Sequence, residues 1–464
     1  MTKKKYSVKI NHKHSKEDKK MSFNIPQAVS KAISILENNN YEAYIVGGCV
    51  RDILMGKEPH DYDICTQALP EQTIQVFSGY KVIETGLKHG TVTVLIDGYS
   101  LEITTFRTDG EYSDNRHPTC VEFVSDIKDA LSRRDFTINA MAYSQKSGLV
   151  DFYGGQADIE AGIIRCVGDP DTRFKEDALR IMRALRFSSQ LYFNIEKSTS
   201  ESILKNRELL KNISAERIAS ELNKLLIGDK VFDVLTQYRD VIAVFIPEFI
   251  PCFDMEQYTK HHCYTVYDHI IKSVEHVPKD KVLRLTMLLH DIAKPQCFYK
   301  DSNGGGHFKG HQLPGADKAR EILHRLKYDN DTIHEVVMLV KEHDNRYPAE
   351  EKSVKRFMSK YGYDFFIKQL KVRRADTLAQ SMYMREQKLA QLDKTLEIGK
   401  KIIEDNKCFK LSDLAVNGKD LISIGIENGR EIGRILDVLL DLVISEKAEN
   451  NKIDLLKIAQ NMKQ

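Results

Sequence analysis

Apolar residues recur with two different periods along the chain. Residues 24–38 place apolar side chains at helical spacing before three consecutive asparagines end the pattern; these side chains are Ile25, Val29, Ala32, Ile33 and Leu36. Short apolar runs typical of β-strands follow, separated by helical pieces up to about residue 150, and they lie at 44–46, 63–65, 81–84, 91–96 and 100–106. This alternation predicts an α/β domain.

Beyond residue 170 the strand pattern nearly disappears, and the chain is predicted to continue as successive helices. Residues 301–306 (Asp-Ser-Asn-Gly-Gly-Gly) are typical of a surface turn, and residues 404–407 are predicted to break the chain before a C-terminal helical piece. The apolar stretch at 435–444 contains Asp437 and Asp441, whereas a membrane-spanning helix needs about 20 apolar residues. No membrane association is therefore expected.

Composition narrows the class without identifying a partner. The chain has 464 residues, of which 42% are hydrophobic and 29% charged, which excludes wholesale disorder and favours roughly three domains. The net charge of +2 is unevenly placed, because residues 1–20 contain eight lysines against Glu17 and Asp18. This basic tail is expected either to attract RNA without regard to sequence or to have no role. The eight cysteines form no Cys-x-x-Cys pair, which favours free thiols in the cytoplasm.

A glycine pair follows the strand at 44–46 and begins a helical pattern. Backbone N–H groups at Gly47 and Gly48 can approach an anion closely, and Arg51 adds a guanidinium that suits phosphate. A simple turn is the alternative interpretation of the glycines. A second basic pair, Arg133 and Arg134, precedes another helical stretch and could hold a triphosphate or only begin a helix.

Two aspartates, Asp61 and Asp63, lie about ten residues after the glycine turn and Arg51. Residues two apart on a strand face the same side, so their carboxylates would lie together, which is costly unless a divalent cation lies between them. Two Mg²⁺ ions bound in this way can activate a hydroxyl group and neutralise a leaving pyrophosphate. Glu102, on the strand at 100–106, is a candidate third ligand or an ordinary surface residue.

Between residues 177 and 186 a charged residue occurs at every third position. These residues are Asp177, Arg180, Arg183 and Arg186. Their spacing predicts one broad helix face, which is either a solvated face with ion pairs or a site that reads a nucleobase. A carboxylate beside a guanidinium offers an acceptor next to donors. Cytosine and adenine both present an amino donor next to a ring-nitrogen acceptor, so a pair formed by Asp177 and Arg180 would accept C and A and reject U and G.

In this order the motifs Gly-Gly-x-Val-Arg-Asp, Asp-x-Asp, Arg-Arg-Asp-Phe-Thr-Ile-Asn-Ala and Glu-Asp-x-x-Arg-x-x-Arg-Ala-x-Arg-Phe resemble those of class II CCA-adding tRNA nucleotidyltransferases and bacterial poly(A) polymerases. Residues 213–222 resemble the family's next motif. The resemblance implies that Asp61 and Asp63 bind Mg²⁺. It also implies that Gly48, Arg51 and Arg134 bind phosphate or ribose of the nucleotide, that Asp177 and Arg180 read the base, and that Arg183 and Arg186 support the site.

The polar stretch at 105–118 bears on which member of the family this is. In the family a loop here helps to switch from C to A addition, so its presence resembles full CCA-adding enzymes, with A-only addition and poly(A) synthesis as alternatives. The C-terminal segments 413–421 and 429–436 resemble the family's tRNA-gripping tail. There Lys419, Arg430 and Arg434 lie beside glycine turns that suit phosphate contacts, or that simply cap helices.

Histidines and aspartates are frequent between residues 262 and 376. They include His290-Asp291, His307, His311, His343 and Asp376. A single His-Asp pair on an apolar helix is usually a core pair, but several together favour a divalent-metal site. The set resembles HD-type phosphohydrolases, in which His269, His290, Asp291 and Asp376 would bind a divalent transition metal. Such a domain is either an active hydrolase of phosphoesters, including 2′,3′-cyclic phosphates, or a scaffold for tRNA.

The fold is therefore expected to be an α/β nucleotidyltransferase head followed by an all-α neck, an HD-type body and a tail. The expected boundaries are a basic tail at 1–22, the head at 23–165, the neck at 166–255, the HD-type domain at 256–395 and the tRNA-binding tail at 396–464. The expected activity is addition of CCA to tRNA from CTP and ATP. A metal phosphohydrolase whose head only recruits RNA and an RNA-binding protein without activity are the rival interpretations. Nothing in the sequence specifies an oligomeric state.

Overall fold

The computed structural model describes residues 23–110 and 121–462. These residues divide into two units. Among the described residues the first unit comprises 23–108, 121–134 and 138–159, and the second comprises 109–110, 135–137 and 160–462. The basic tail at 1–22 and most of the polar stretch at 105–118 lie outside the described residues, so the expectations for both stay predictions.

The strands are β1 (Ala43–Val46), β2 (Asp63–Thr66), β3 (Lys81–Ile83), β4 (Thr91–Ile96), β5 (Tyr99–Thr105), β6 (Arg107–Asp109), β7 (Val121–Phe123), β8 (Ala142–Ser144), β9 (Gly148–Val150), β10 (Ile163–Ile164), β11 (Asn194–Ile195), β12 (Tyr299–Lys300) and β13 (Gly306–His307).

The helices are α1 (Gln27–Asn38), α2 (Gly48–Leu54), α3 (Pro70–Val76), α4 (Ile127–Ser132), α5 (Gly155–Ala161), α6 (Pro170–Glu176), α7 (Leu179–Leu191), α8 (Lys197–Asn206), α9 (Ala215–Leu226), α10 (Val231–Gln237), α11 (Arg239–Ile242), α12 (Val266–His276), α13 (Lys281–Leu289), α14 (Gln312–Arg325), α15 (Asn330–Glu342), α16 (Glu351–Tyr361), α17 (Tyr363–Leu378), α18 (Arg385–Glu404), α19 (Gly418–Ser423), α20 (Gly429–Ile444) and α21 (Lys452–Asn461).

The first unit is built on a mixed seven-stranded sheet in the order β3-β4-β5-β2-β1-β8-β9. β2 and β5 run parallel, whereas the other neighbours are antiparallel. Burial alternates along β4, so one face of this strand joins the core. The buried stripe of α1 packs into the same core. The predicted α/β domain is confirmed.

The second unit is helical apart from strands of two residues each, as the loss of strand pattern predicted. Several helices begin where a polar side chain accepts a hydrogen bond from a backbone N–H group, as Thr265 does for α12, Asp280 for α13 and Asp329 for α15. Residues 301–305 form the turn between the paired strands β12 and β13, Gly306 begins β13, and α18 ends at Glu404. Both predicted breaks are therefore confirmed. Within 23–110 and 121–462, no helix is long and apolar enough to cross a membrane.

Candidate active sites

The glycine turn of the first unit is shaped by an arginine. Gly47 has a φ of +80°, and a Cβ atom at this position would lie 2.4 Å from Nη1 of Arg134. The left-handed backbone conformation therefore favours glycine, and a Cβ atom here would displace the Arg134 guanidinium. Arg51, on α2, donates from Nη1 to Oδ1 of Asn139 at 2.7 Å and from Nε to Oδ1 of Asp52 at 2.9 Å. These contacts fix its guanidinium beside the turn.

Carboxylates gather at the edge where β2 begins. Asp63 is the first residue of β2, and its partner in the parallel register is Glu102 on β5. Asp61 precedes the strand rather than belonging to it, which corrects the prediction that both aspartates lie on a strand. The alternation nevertheless continues through the loop: Asp61 and Asp63 are exposed, whereas Tyr62 and Ile64 are buried. The two aspartates therefore face the same side.

A cleft of about 190 Å³ opens at this edge, and its lining includes Asp63, Glu102, Arg133 and Arg134. Desolvation by the surrounding strands raises the pKa of the Asp63 carboxyl group; Arg134 partly opposes this and Asp61 adds to it. Burial and the neighbouring carboxylates make the ionised form of Asp63 costly. A bound cation would offset this cost. Because every donor is an oxygen, the set fits a hard cation such as Mg²⁺.

In the second unit the arginines predicted to share a helix do so, but the aspartate does not. Arg180, Arg183 and Arg186 lie on α7, whereas Asp177 follows the end of α6 with an extended backbone (φ −136°, ψ 102°). The prediction that Asp177 belongs to the same helix face is therefore wrong. Its Oδ1 accepts from the backbone N–H of Leu179 at 3.1 Å, so Asp177 caps the first turn of α7 instead.

Asp177 and Arg180 are each held by a residue to which the sequence analysis assigned no role. Nη2 of Arg217, on α9, lies 3.3 Å from Oδ2 of Asp177. Arg180 donates to Oε2 of Glu176 at 2.6 Å, and the same carboxylate pairs with Arg173 at 2.8 Å. The Asp177 carboxylate and the Arg180 guanidinium are therefore each held in a fixed orientation by a charged neighbour.

The other two arginines of α7 make structural ion pairs. Arg183 donates from Nε to Oδ2 of Asp135 at 2.7 Å, and this carboxylate raises the pKa of the guanidinium. Arg186 lies 3.0 Å from both carboxylate oxygens of Glu221 on α9, and both residues are buried. Glu221 and Arg217 belong to the motif at 213–222, so the contacts of this motif with Asp177 and Arg186 give it a physical role.

Replacing Glu221 by alanine is expected to lower the free energy of unfolding of the second unit by about 3–5 kcal/mol, because the buried Arg186 charge would lose its ion pair with Glu221. Denaturant unfolding would measure the loss. Glu201→Ala, which removes an exposed partner of Lys197, is the matched control and is expected to cost less than about 1 kcal/mol. Equal losses in the two variants would contradict the assignment.

A cluster of histidines and aspartates lies in the helical part of the second unit. His269 lies on α12, His290 and Asp291 follow α13, and Asp376 lies on α17, as the sequence resemblance implied for four ligands. His311, which precedes α14, and His343, which follows α15, join them. Two groups of three residues bring their ligand atoms within 4.8 Å of one another: His269, His290 and Asp291, and Asp291, His311 and His343.

The central carboxylate of this cluster is that of Asp291, which is 1% exposed. Burial raises the pKa of this carboxyl group, but the opposing effect of His290 and Lys294 is larger. The pKa therefore lies well below its usual range. Nζ of Lys294 lies 2.6 Å from Oδ2 and donates to Gln257 at 2.9 Å. Asp291, His311, His343 and Asp376 of the cluster line a cleft of about 570 Å³, whose other charged lining residues are Lys294, Lys309, Arg346, Lys388 and Asp344. Such a lining favours an anionic ligand.

The basic residues predicted to grip RNA in the C-terminal segment are exposed. Lys419 lies in the first turn of α19, whereas Arg430 and Arg434 lie on α20. Asn417 and Asn428 accept hydrogen bonds from the first backbone N–H groups of these helices, so the glycines that follow them belong to capping turns. The capping interpretation is therefore confirmed, while the RNA contacts stay a prediction.

Three family models match parts of the chain. The poly A polymerase head domain matches residues 43–165, and a model described as a probable RNA- and SrmB-binding site of polymerase A matches residues 192–250. A model described as a putative tRNA nucleotidyltransferase domain 2 matches residues 312–459.

Individual relatives and a solved structure extend this likeness. A CCA-adding enzyme of Lactobacillus helveticus is 34% identical over 431 residues, which span 92% of this chain and 96% of that relative. A CCA-adding enzyme of Geobacillus thermodenitrificans is 50% identical over 213 residues, or 46% of this chain and 52% of that relative. The solved CCA-adding enzyme of Bacillus stearothermophilus in complex with CTP is 28% identical with a TM-score of 0.71, covering 94% of this chain and 97% of that one.

Proposed function

This chain belongs to the family of CCA-adding enzymes, and on that basis we propose that it adds CCA to the 3′ end of tRNA with CTP and ATP as substrates. The observation that carries the proposal is the register that aligns Asp63 with Glu102 at the edge where Asp61 and Arg134 also lie. This arrangement combines ligands for Mg²⁺ with a cation for phosphate, which is what nucleotidyl transfer requires.

Asp61 and Asp63 would hold Mg²⁺, with Glu102 as a third oxygen donor. Bound Mg²⁺ supplies Lewis-acid chemistry, since it lowers the pKa of the attacking 3′-hydroxyl group and neutralises the departing pyrophosphate. Arg51 and Arg134 would orient the triphosphate, and the fixed guanidinium of Arg51 limits the entropy lost when the nucleotide binds. Positioning and charge neutralisation then suffice, and no protein side chain has to act as a general base.

Base selection is assigned to Asp177 and Arg180. The Asp177 carboxylate offers an acceptor for the amino groups of cytosine and adenine, and the Arg180 guanidinium offers donors for their ring nitrogens. Uracil and guanine present the opposite pattern, so they would leave buried polar groups unpaired. Arg217 and Glu176 hold the two side chains in place and act as positioning residues. Arg183 and Arg186 support the same helix through their ion pairs.

Binding of tRNA is assigned to the helical part of the chain. The family model for an RNA-binding region covers residues 192–250, and Lys419, Arg430 and Arg434 expose cations in the C-terminal segment. These positions agree with a neck at 166–255 and a tail at 396–464, which remain proposed boundaries. Contacts of this kind position the RNA backbone without reading its sequence.

The proposal is tested with a tRNA transcript that ends at the position before CCA, incubated with Mg²⁺ and different nucleotides. CTP alone is expected to add about two nucleotides, ATP alone none, and both together about three. Addition of A only to tRNA that already ends in CC, with CTP never used, would identify an A-adding enzyme. A long A tail from ATP alone would identify a poly(A) polymerase. No addition with any mixture would contradict the transferase assignment.

A second activity is supported by the histidine–aspartate cluster and the basic cleft in front of it. We propose that His269, His290, Asp291 and Asp376 hold a divalent transition metal in an HD-type domain (residues 256–395) that hydrolyses phosphoesters. Imidazole and carboxylate donors suit such metals, and Lys294 and Lys388 would bind the phosphate. Bound metal supplies an activated water. A scaffold for tRNA is the alternative role.

Replacing His290 by alanine is expected to abolish hydrolysis of a 2′,3′-cyclic nucleotide, because the metal loses a fully buried ligand. The release of nucleoside monophosphate measures the reaction. CCA addition is expected to persist in this variant, since the cluster and the Asp63 edge belong to different units. Hydrolysis that survives His290→Ala, or that is lost with Asp63→Asn instead, would contradict the assignment.

A further inference from the structure

Two surface segments dock on the stretch 257–261 in the helical part of the second unit. The hairpin β12–β13 docks at one end, where the backbone N–H group of Gly306 donates to the Tyr258 carbonyl at 3.0 Å. A Cβ atom on Gly306 would lie 2.2 Å from a backbone oxygen of this stretch, so the two backbones approach closely. The loop between α17 and α18 docks at the other end, where the N–H group of Ser381 donates to the His261 carbonyl at 2.8 Å. Three separate parts of the chain therefore form one surface.

Aromatic rings follow the hairpin side of this surface. The ring centroid of Phe298 lies 6.0 Å from that of Tyr258 and 5.3 Å from that of Phe308. Tyr299 stacks on His307 with 5.1 Å between the centroids and 23° between the ring planes. Contacts of this kind hold the rings in place. Because His307 and Phe308 also line the cleft of about 570 Å³, the row of rings extends to the edge of that cleft.

The loop side adds a further exposed tyrosine. The ring centroid of Tyr383 lies 5.0 Å from that of His261, which also lines the cleft. Tyr258, Tyr299 and Tyr383 are 51%, 43% and 40% exposed, although each already packs against another ring. Exposed aromatic side chains that are grouped in this way mark an interaction surface.

Lysines accompany two of the three tyrosines. Nζ of Lys300 lies 3.5 Å from the ring centroid of Tyr258, and Nζ of Lys260 lies 4.2 Å from that of Tyr383. Both lysines are exposed, and these contacts place a positive charge beside each ring. A ligand that matches this surface combines flat aromatic groups with negative charges.

The turn of the hairpin is fixed before any ligand binds. Oδ1 of Asp301 accepts from the backbone N–H groups of Asn303 and Gly305, each at 2.9 Å, and Oδ2 lies 2.7 Å from Nε2 of His307. The carboxylate is therefore engaged within the turn, and it holds the ring on which Tyr299 stacks. Such preorganisation reduces the entropy that is lost when a ligand binds.

We propose that this surface, the aromatic platform of Tyr258, Tyr299 and Tyr383, binds unpaired RNA nucleotides beside the cleft. Every base has a π-face that can stack on a tyrosine, and Lys260 and Lys300 neutralise the phosphates of the same strand. Base pairing and stacking in a duplex conceal these faces, so the platform selects single strands. Its residues belong to other segments of the chain than those proposed for tRNA contacts, and binding requires neither CCA addition nor phosphoester hydrolysis.

The test uses the full-length protein and a single-stranded RNA of about five nucleotides that contains 2-aminopurine, whose fluorescence falls when the base stacks on an aromatic ring. The chain has no tryptophan, so the probe can be excited selectively. The wild type is expected to quench the probe, and Tyr258→Ala and Tyr383→Ala are each expected to weaken binding by about 5- to 100-fold. Tyr99→Ala, which removes a 44% exposed tyrosine of β5, is the matched control and is expected to bind the probe as the wild type does.

Two further measurements keep the result independent of folding. Lys300→Ala is expected to reduce the slope of log Kd against log salt concentration by about 0.7, because one phosphate contact is lost. CCA addition is expected to be unchanged in all these variants. The free monophosphate of 2-aminopurine riboside is expected to bind about tenfold more weakly than the RNA, because it engages a single ring.

Equal binding of the free nucleotide, equal binding of a duplex, or undiminished binding by both tyrosine variants would overturn the proposal. Probe binding by a wild-type protein that adds no nucleotide to tRNA would contradict the transferase proposal alone.

Discussion

Asparagine in place of Asp63 is expected to reduce nucleotide addition by roughly 1,000-fold or more, because losing a metal ligand removes several kcal/mol of transition-state stabilisation. The two side chains have nearly the same shape, so only the charge changes. Desolvation raises the pKa of Asp63, which means that its ionised form costs stability in the folded protein at neutral pH. The variant is therefore expected to unfold at the same temperature as the wild type or slightly higher.

Single-turnover addition of CMP to a tRNA lacking CCA measures this effect. Asp97→Asn is the matched control, since Asp97 lies on the same unit and pairs with the exposed Lys31 at 3.2 Å. The control is expected to retain full activity, and both variants are expected to bind tRNA within about twofold of the wild type. An Asp63→Asn protein that adds CMP at an undiminished rate would contradict the metal assignment.

Asparagine in place of Asp177 is expected to lower kcat/KM for CTP and ATP by about 100-fold, or nearly 3 kcal/mol. The substitution keeps an oxygen that can accept from the N–H of Leu179, so the cap of α7 survives. It turns the other oxygen into an amide donor, which matches the carbonyl groups of uracil and guanine better than amino groups. The ratio of kcat/KM for CTP to kcat/KM for UTP is therefore expected to fall. The decrease in kcat/KM for CTP is expected to exceed any increase for UTP.

Competition between labelled CTP and UTP on one tRNA measures the ratio directly. Asp233→Asn is the control, because Asp233 is an exposed carboxylate of the same unit and lies on α10, outside the proposed base-reading residues. It is expected to leave the ratio unchanged. A drop in addition that is equal for CTP and UTP in Asp177→Asn would mean that Asp177 supports the fold rather than reads the base.

Local patterns predicted the elements well and the contacts between them less well. The alternation around Asp61 and Asp63 correctly placed both carboxylates on one side, because the period of two continues into the preceding loop. It did not specify that Glu102 would be the neighbour of Asp63, since a parallel register depends on a crossover connection rather than on local spacing. Glu102 was identified only as one candidate.

The error at Asp177 has a similar origin. No glycine or proline lies between Asp177 and Arg186, so the three-residue spacing looked like one helix. The side chain instead caps α7, and Asp is a residue that competes with helix formation through such local hydrogen bonds. Its partner Arg217 and the buried Glu221 come from α9, and only the tertiary packing of α7 against α9 reveals those pairs.

The histidine–aspartate cluster shows the same limit. The resemblance named four ligands, but His311 and His343 lie at the ends of two other helices, where sequence spacing carries no information about distance. The position of each histidine nevertheless fixes the orientation of its ring, because Nδ1 lies within hydrogen-bonding distance of the carbonyl group three residues earlier. The turn before α14 thereby orients His311, and the last turn of α15 orients His343.

The most direct test of base selection is the mass and the sequence of the tRNA 3′ end after reaction with all four nucleotides at equal concentration. A single product is expected, extended by C, C and A in that order, because the protein selects each base and addition stops at the mature end. A run of A, incorporation of U or G at comparable yield, or an unextended tRNA would contradict it.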